Sequence, residues 1–338
     1  MKSTDKKIEK YSSAIPKTFL VFLFIAFVSS CDHDTEPEDP NLIDRFGPFE
    51  VVQDFEASTD VADFTSGGTV IFTAQFNKNI NWVITITGNT SGAVKRIEGF
   101  NRIINAENAT WNGSTTDLPF FKNEMCSVEI TIPEEPDYMD TAEIEVIGTR
   151  TYEGSLVTDW ENGLNPGFIV FSQSGLDMRF DTVQDPTGAE GAVFYEMSGE
   201  VTFADDLGNV AMPKDAFTDP DFSLSLVPDI VYFNVFAKKG PGAAEDIVVF
   251  QFMEDDNGNG TYDPNSDDLY EYVIQDLTLD WEQYSVPYTD LVLSNDGGGG
   301  QRNPDRLTRI VVLPIGLGVR FEGFFDYLIF TEGAPLQP

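Results

Sequence analysis

The chain has 338 residues, room for about two domains and a tail. Its 41% hydrophobic and 23% charged content is that of a folded globular protein. Asp and Glu number 57 against 20 Lys and Arg, a formal charge of −37 that repels phosphate backbones and argues against nucleic acid as a partner. A single His, His33, and two Cys, Cys31 and Cys126, exclude most zinc sites, a CxxC redox pair and a disulfide framework. They also remove the His base that Ser and Cys nucleophiles usually need.

Lys2, Lys6, Lys7, Lys10 and Lys17 precede an apolar run from Thr18 to Val28, and Ser29, Ser30 and Cys31 follow it. A basic start, a short apolar core and small residues before the cut describe a secretory signal over residues 1–30. Val28-Ser29-Ser30-Cys31 resembles the bacterial lipobox, in which the Cys becomes the lipidated first residue of the mature protein. The plainer alternative is an ordinary signal with an incidental Cys. Residues 31–44 include Asp32-His33-Asp34-Thr35-Glu36-Pro37-Glu38-Asp39-Pro40, too polar to bury and expected to act as a tether. An acidic stretch after a lipidated Cys resembles the surface-export signal of Bacteroidota lipoproteins. Removing residues 1–30 takes away five Lys and two acids, leaving a mature charge of −40.

From residue 45 the text is short Val, Ile, Phe and Thr runs broken by Gly, Asn, Asp and Pro, which predicts an all-β protein. Trp82, Ile84 and Ile86 share one strand face. Cys126, Val128, Ile130 and Ile132 share another, which makes Cys126 a buried, inert thiol. Alternation of this kind over 45–152 predicts an Ig-like or fibronectin-type sandwich. Residues 153–338 carry strand runs at Met178–Val183, Val193–Phe203, Ile230–Lys238, Ile247–Met253, Leu269–Leu277, Leu307–Pro314 and Val319–Phe330. Several are apolar on both faces, and their number predicts a larger jelly roll.

Asp159-Trp160-Glu161-Asn162-Gly163 resembles the opening strand of jelly-roll carbohydrate-binding modules. Trp281-Glu282-Gln283-Tyr284-Ser285-Val286-Pro287-Tyr288 resembles an inner strand of theirs, and residues 324–330, FFDYLIF, resemble their last. With the lipoprotein-like start, the chain is similar to surface glycan-binding lipoproteins of Bacteroidota polysaccharide-utilisation systems. That resemblance implies a non-catalytic protein that is lipid-anchored in the outer membrane, faces outward, binds polysaccharide or oligosaccharide, and works beside a transporter complex. It also implies a structural calcium tying the first strand to the last, with Glu161 and Asp326 as ligands and Asp159 as a further one. A lone Asp326 in an apolar strand needs a cation or hydrogen-bond donors in any case.

A rival calcium site is Asp255, Asn257, Asn259 and Asp263. Positions 255, 257, 259 and 260 match the first half of a calcium loop, but Ser266 stands where the loop's closing Glu belongs. This hairpin tip either holds calcium or is a solvated acidic turn. Glycan binding needs aromatic faces beside polar groups. Tyr195, Tyr232, Trp281, Tyr284 and Tyr288 are candidate platforms, with Glu196, Asn234 and Arg302 as polar neighbours. In a chain with 28 Phe, any of these rings can instead be core, and Trp82 and Trp111 face the same objection. Two other functions remain open: a carboxylate-based glycoside hydrolase or lyase, and a structural surface adhesin.

Overall fold

The computed structural model describes residues 47–200, 204–244 and 247–338. The expected signal (1–30), Cys31 and the tether (31–44) lie outside the described residues. Residues 50–338 form one unit of 20 strands and no α-helix among the described residues. No described helix is long and apolar enough to cross a membrane.

Seven strands build the first sandwich: β1 (Val51–Ala57), β2 (Val61–Asp63), β3 (Val70–Gly88), β4 (Val94–Ile104), β5 (Thr110–Trp111), β6 (Met125–Thr131) and β7 (Met139–Gly148). Strand β3 runs 19 residues with strict burial alternation. A one-residue slip would turn its whole apolar set to water, so its register is firmly specified. Its first half pairs with β1 and β5, its second half with β6, and β4 pairs along it. Lys78 falls on the buried side of β3, where its ammonium pairs with Glu135 at 3.6 Å. Trp82, Ile84, Ile86, Cys126, Val128 and Ile130 are buried as their alternation predicts.

The second sandwich contains β8 (Ser155–Thr158), β9 (Ile169–Ser172), β10 (Asp177–Gln184), β11 (Val193–Glu200), β12 (Ala204–Asp206), β13 (Gly208–Pro213) and β14 (Val231–Lys239). It continues with β15 (Ile247–Glu254), β16 (Asp268–Ile274), β17 (Glu282–Pro287), β18 (Val292–Asp296), β19 (Leu307–Leu317) and β20 (Phe321–Glu332). One sheet has the order β10-β11-β20-β14-β17, with β8 on β20. The other has the order β18-β16-β15-β19-β13-β9, with β12 on β19. Both are antiparallel throughout, the two-sheet arrangement of a jelly roll. Phe233, Phe250, Phe252, Phe325 and Phe330 fill the space between the sheets, with Phe233 and Phe252 edge-to-face at 4.9 Å. Each such side chain contributes roughly 1.5–3 kcal/mol by burial.

The two sandwiches are not beads on a free linker. The outer face of the β10-β11-β20-β14-β17 sheet carries Phe194, Phe236, Trp281, Tyr327 and Ile329. Phe120 and Tyr152, from loops flanking the first sandwich's last strands, pack onto this set. Phe120 stacks on Tyr152 at 4.8 Å and meets Phe236 edge-on at 5.0 Å. The C-terminal segment covers another part of the same face: Leu336 joins the cluster, and its N–H donates to the fully buried Asn234. We call this the covered sheet and its partner the open sheet.

Candidate functional site

The alternation of β14 sends Phe233, Val235 and Ala237 inward and Asn234 and Phe236 to the covered face. That geometry decides the aromatic candidates. Tyr195 and Tyr288 are fully buried; Tyr195 stacks on Trp160 at 4.5 Å, and Tyr288 donates to Glu254 Oε1 at 2.8 Å. Trp281 is buried in the seam, donates from Nε1 to the Thr187 carbonyl at 2.7 Å and lies under the Lys238 ammonium. These three rings present no face to a ligand, which corrects their reading as platforms. Where both faces of a strand are apolar, alternation cannot say which one is wet. Tyr232 is half-buried on the covered-sheet side of β14. Tyr284 packs against the main core and donates to Glu282 at 3.2 Å; burial pushes its phenol up to about 12. Arg302 is an anchor: it donates to the Leu291 carbonyl at 2.6 Å and lies over the Tyr270 ring. Glu196 is held by Arg179 at 3.1 Å and by the Ser198 hydroxyl.

The open sheet's outer face bears Val249, Val311, Leu313 and Ala211 in a small apolar cluster that Met253 and Ile315 help to bury, with Ile169 and Phe171 about half exposed at its β9 edge. Arg309, two residues before Val311 on β19, shares this face, opposite Met253 and Pro213. Two cavities adjoin at that end of the strand, sharing Lys214 and Thr308 in their walls. One, of about 280 Å³, is lined by Lys214, Asp215, Tyr262 and Arg309; the other, of about 410 Å³, by Asp255, Asp256, Asp305 and Arg306. Lys214, Tyr262 and Arg309 are not among the residues singled out by sequence. The signals were present: Arg309 is the one cation in the apolar Leu307–Leu317 run, and Tyr262 is the aromatic inside the acidic hairpin.

The hairpin tip closes on itself. Asp255 accepts from the N–H groups of Asn259 and Gly260, and Asp263 accepts from Asn265. Asp267 holds the N–H groups of Asp256, Asn257 and Asp263. Asn257, Asn259 and Asp263 are exposed. Among the described residues, the acids that bring ligand atoms within 4.8 Å of one another are Glu254, Asp256 and Asp268, beneath the tip. Glu254 is fully buried, and burial together with Asp256 and Asp268 pushes its carboxyl up to about 8. Tyr288, the Asn303 N–H, the Asp268 N–H and the Gly298 N–H satisfy this group.

Glu161 and Asp326 both hold the backbone of the 190–193 stretch. Asp326 is fully buried, and burial raises its proton affinity well above the usual carboxylate range. Its Oδ2 accepts from the Glu190 N–H at 2.9 Å, while its Oδ1 has no partner. Glu190 joins the group: its Oε2 is buried and unpartnered, and burial with Glu161 and Asp159 pushes it up to about 7. Glu161 accepts from the N–H groups of Ala192 and Val193 at 2.7 and 2.8 Å. The residues beside two of these acids, Trp160 and Tyr327, hold φ of +61° and +46°, a left-handed backbone rare for bulky residues. Lys122, from the first sandwich, reaches in and donates to the carbonyls of Pro186 and Gly188. Burial pulls its ammonium down, while Asp326, Glu124, Glu161 and Glu190 oppose that.

No protein-family model and no curated protein matches the chain. Several solved structures are similar to it. A family 11 carbohydrate-binding module from Clostridium thermocellum, in complex with a β-1,3-1,4-mixed-linked tetrasaccharide, aligns at 16% identity and a TM-score of 0.40, covering 54% of this chain and 98% of that one. SGBP-B from a complex xyloglucan utilization locus in Bacteroides uniformis aligns at 17% identity and 0.36, covering 84% and 73%. A family 30 carbohydrate-binding module of a cellulosomal cellulase of Clostridium thermocellum aligns at 14% identity and 0.37, covering 53% and 98%. These are likenesses between β-sandwich proteins, and the fold of this chain stands on its own strand pairing.

Proposed function

We propose that this chain is a cell-surface lipoprotein that holds polysaccharide without cleaving it, for uptake by a neighbouring transport system. The observation that carries the reading is the pair of adjoining cavities at the β19 end of the open sheet. A half-buried Tyr, a Thr hydroxyl, carboxylates and cations line them. Stacking on one ring and hydrogen bonding to several polar groups is what a sugar needs. Much of the covered sheet is taken up, because Phe120, Tyr152 and the C-terminal segment pack on the apolar part of its face. Glu254 and Asp326, carboxyls that burial keeps ready to hold a proton, are fully enclosed and out of a polymer's reach. That favours a binder over a carboxylate hydrolase or lyase.

Structural Ca2+ is part of the proposal. Asp326 Oδ1 and Glu190 Oε2 are buried oxygens without partners, and Glu161 and Asp159 act on Glu190 by charge; a hard, oxygen-seeking cation there would draw these acids closer together than they stand. Residues 1–44 supply the anchor, with Cys31 lipidated and the acidic stretch leading outward. A chain with several acyl groups stays membrane-bound, whereas one acyl group binds only marginally.

Affinity electrophoresis of the protein through gels containing neutral and acidic polysaccharides, with a parallel reducing-sugar assay, tests the function. Retardation in at least one gel without sugar release is expected, with Kd in the micromolar to millimolar range, about −4 to −8 kcal/mol. Sugar release, or free migration through every gel, refutes the reading. Detergent phase partition tests the anchor: native protein in the aqueous phase, or no change on Cys31→Ala, refutes it.

A further inference from the structure

The chain is poor in cations, and most of those near acids are paired. Arg179 meets Glu196, Arg306 meets Asp256, and Arg320 meets Glu200 and Glu322. Arg309 is different. It sits mid-sheet on a rigid strand, lines the 280 Å³ cavity and, among the described residues, makes neither a hydrogen bond nor an ion pair through its side chain. Lys214, at the junction of the two cavities, has among the described residues only the Phe222 ring beneath its ammonium, at 5.5 Å. Of the acids of the adjoining cavity, Asp255 is engaged by the N–H groups of Asn259 and Gly260, and Asp256 by the Asp268 N–H, Asn303 and Arg306, while Asp305 has no such partner among the described residues. Asp215 remains at the rim, exposed, where a carboxylate accepts sugar hydroxyls.

The geometry points to an acidic polysaccharide as the ligand, with a uronate carboxylate seated on the free Arg309 guanidinium and on Lys214 while its ring lies against Tyr262. The planar guanidinium presents paired N–H donors that match a carboxylate's two oxygens. A neutral sugar would leave that fork unmatched in a site where its alternatives are few. The protein's distant negative charge is largely screened beyond about 8 Å at physiological ionic strength, and within the cavities Lys214 and Arg309 stand against Asp215 and Asp305. The second cavity, which shares Lys214 and Thr308 in its wall, receives the next sugar of the chain.

This inference rests on the glycan-binding reading, and the experiment separates the two. Titration calorimetry of the purified protein uses polygalacturonate and alginate, the same polymers after chemical reduction of their carboxyls, and neutral β-glucan, xyloglucan and galactomannan. Binding to a uronate polymer, lost on carboxyl reduction and weakened roughly tenfold or more by Arg309→Gln, is expected, the scale of one lost charge-assisted hydrogen bond. Lys214→Gln should weaken the same binding, which keeps the test alive should the Arg309 variant fold poorly. Binding to neutral polymers alone, or uronate binding that survives carboxyl reduction, overturns this inference and leaves the glycan-binding reading standing. No binding to any polymer overturns both.

Discussion

Removing the Phe120 ring should uncouple the two sandwiches. Phe120 is almost fully buried, stacks on Tyr152 at 4.8 Å, and meets Phe236 at 5.0 Å and Tyr327 at 5.8 Å edge-on. Its N–H donates to the Ala189 carbonyl, one backbone bond across the same seam. Buried Phe→Ala substitutions cost about 3–5 kcal/mol, and a seam between two domains can close over part of the cavity, which favours the lower end, about 3 kcal/mol. For a domain of the second sandwich's size that is a fall of about 6–12 °C in Tm. Scanning calorimetry should show one endotherm for the native protein and two for Phe120→Ala. Phe55→Ala, inside the first sandwich, serves as control: it should lower Tm by a similar amount without splitting the transition. A shift below about 2 °C for Phe120→Ala, with a single endotherm retained, refutes the idea that this ring joins the two halves.

Cys126 should resist thiol reagents at pH 8 in the native protein, since burial and the nearby Glu124 push its thiol up to about 12, and it should react at once in denaturant; rapid native labelling would contradict this. Calcium should raise Tm and chelator lower it, by roughly 5–10 °C at a hundredfold excess over Kd, about 2.7 kcal/mol. Asp326→Asn should abolish that response, whereas a response lost in the Asp255→Asn/Asp263→Asn pair and kept in Asp326→Asn would move the metal to the hairpin. Glu254 binds its proton more tightly folded, at about 8, than unfolded, near 4.5, so its favourable contribution is complete below about 4.5 and disappears as pH rises through 8. Each tenfold displacement of that proton equilibrium is about 1.4 kcal/mol. The Tm of Glu254→Gln relative to native should therefore climb between pH 5 and 8, and a flat difference would show that Glu254 does not titrate there.

Much of the fold was legible because one face of most first-sandwich strands is wet. Trp82, Ile84 and Ile86, or Cys126, Val128 and Ile130, announce their side by alternation alone. The second sandwich resists that reading: on β11 and β14 both faces are apolar, one for the core and one for the seam, so Tyr195 on β11, like Trp281 just before β17, looks as available as any ring. Asp326 was legible because a charge inside an apolar run must have a reason. Glu190 was not, since its Thr187–Ala192 loop is Gly-rich and carries no period. Phe120 gave no sign either: its partner Phe236 lies 116 residues on, and only the folded chain brings them together.

The long strand β3 has a consequence for how the first sandwich comes apart. Its amino-terminal half is hydrogen-bonded to β1 and its carboxy-terminal half to β6, so one continuous backbone serves as warp for both edges of the fabric. Losing β3 from either neighbour would also strip the other, because β1 and β6 pair with the same 19-residue strand. The amide protons of Phe72 and Ile86, far apart along the strand, should then exchange with solvent through a single shared opening, and the domain behaves as one foldon with no weak half.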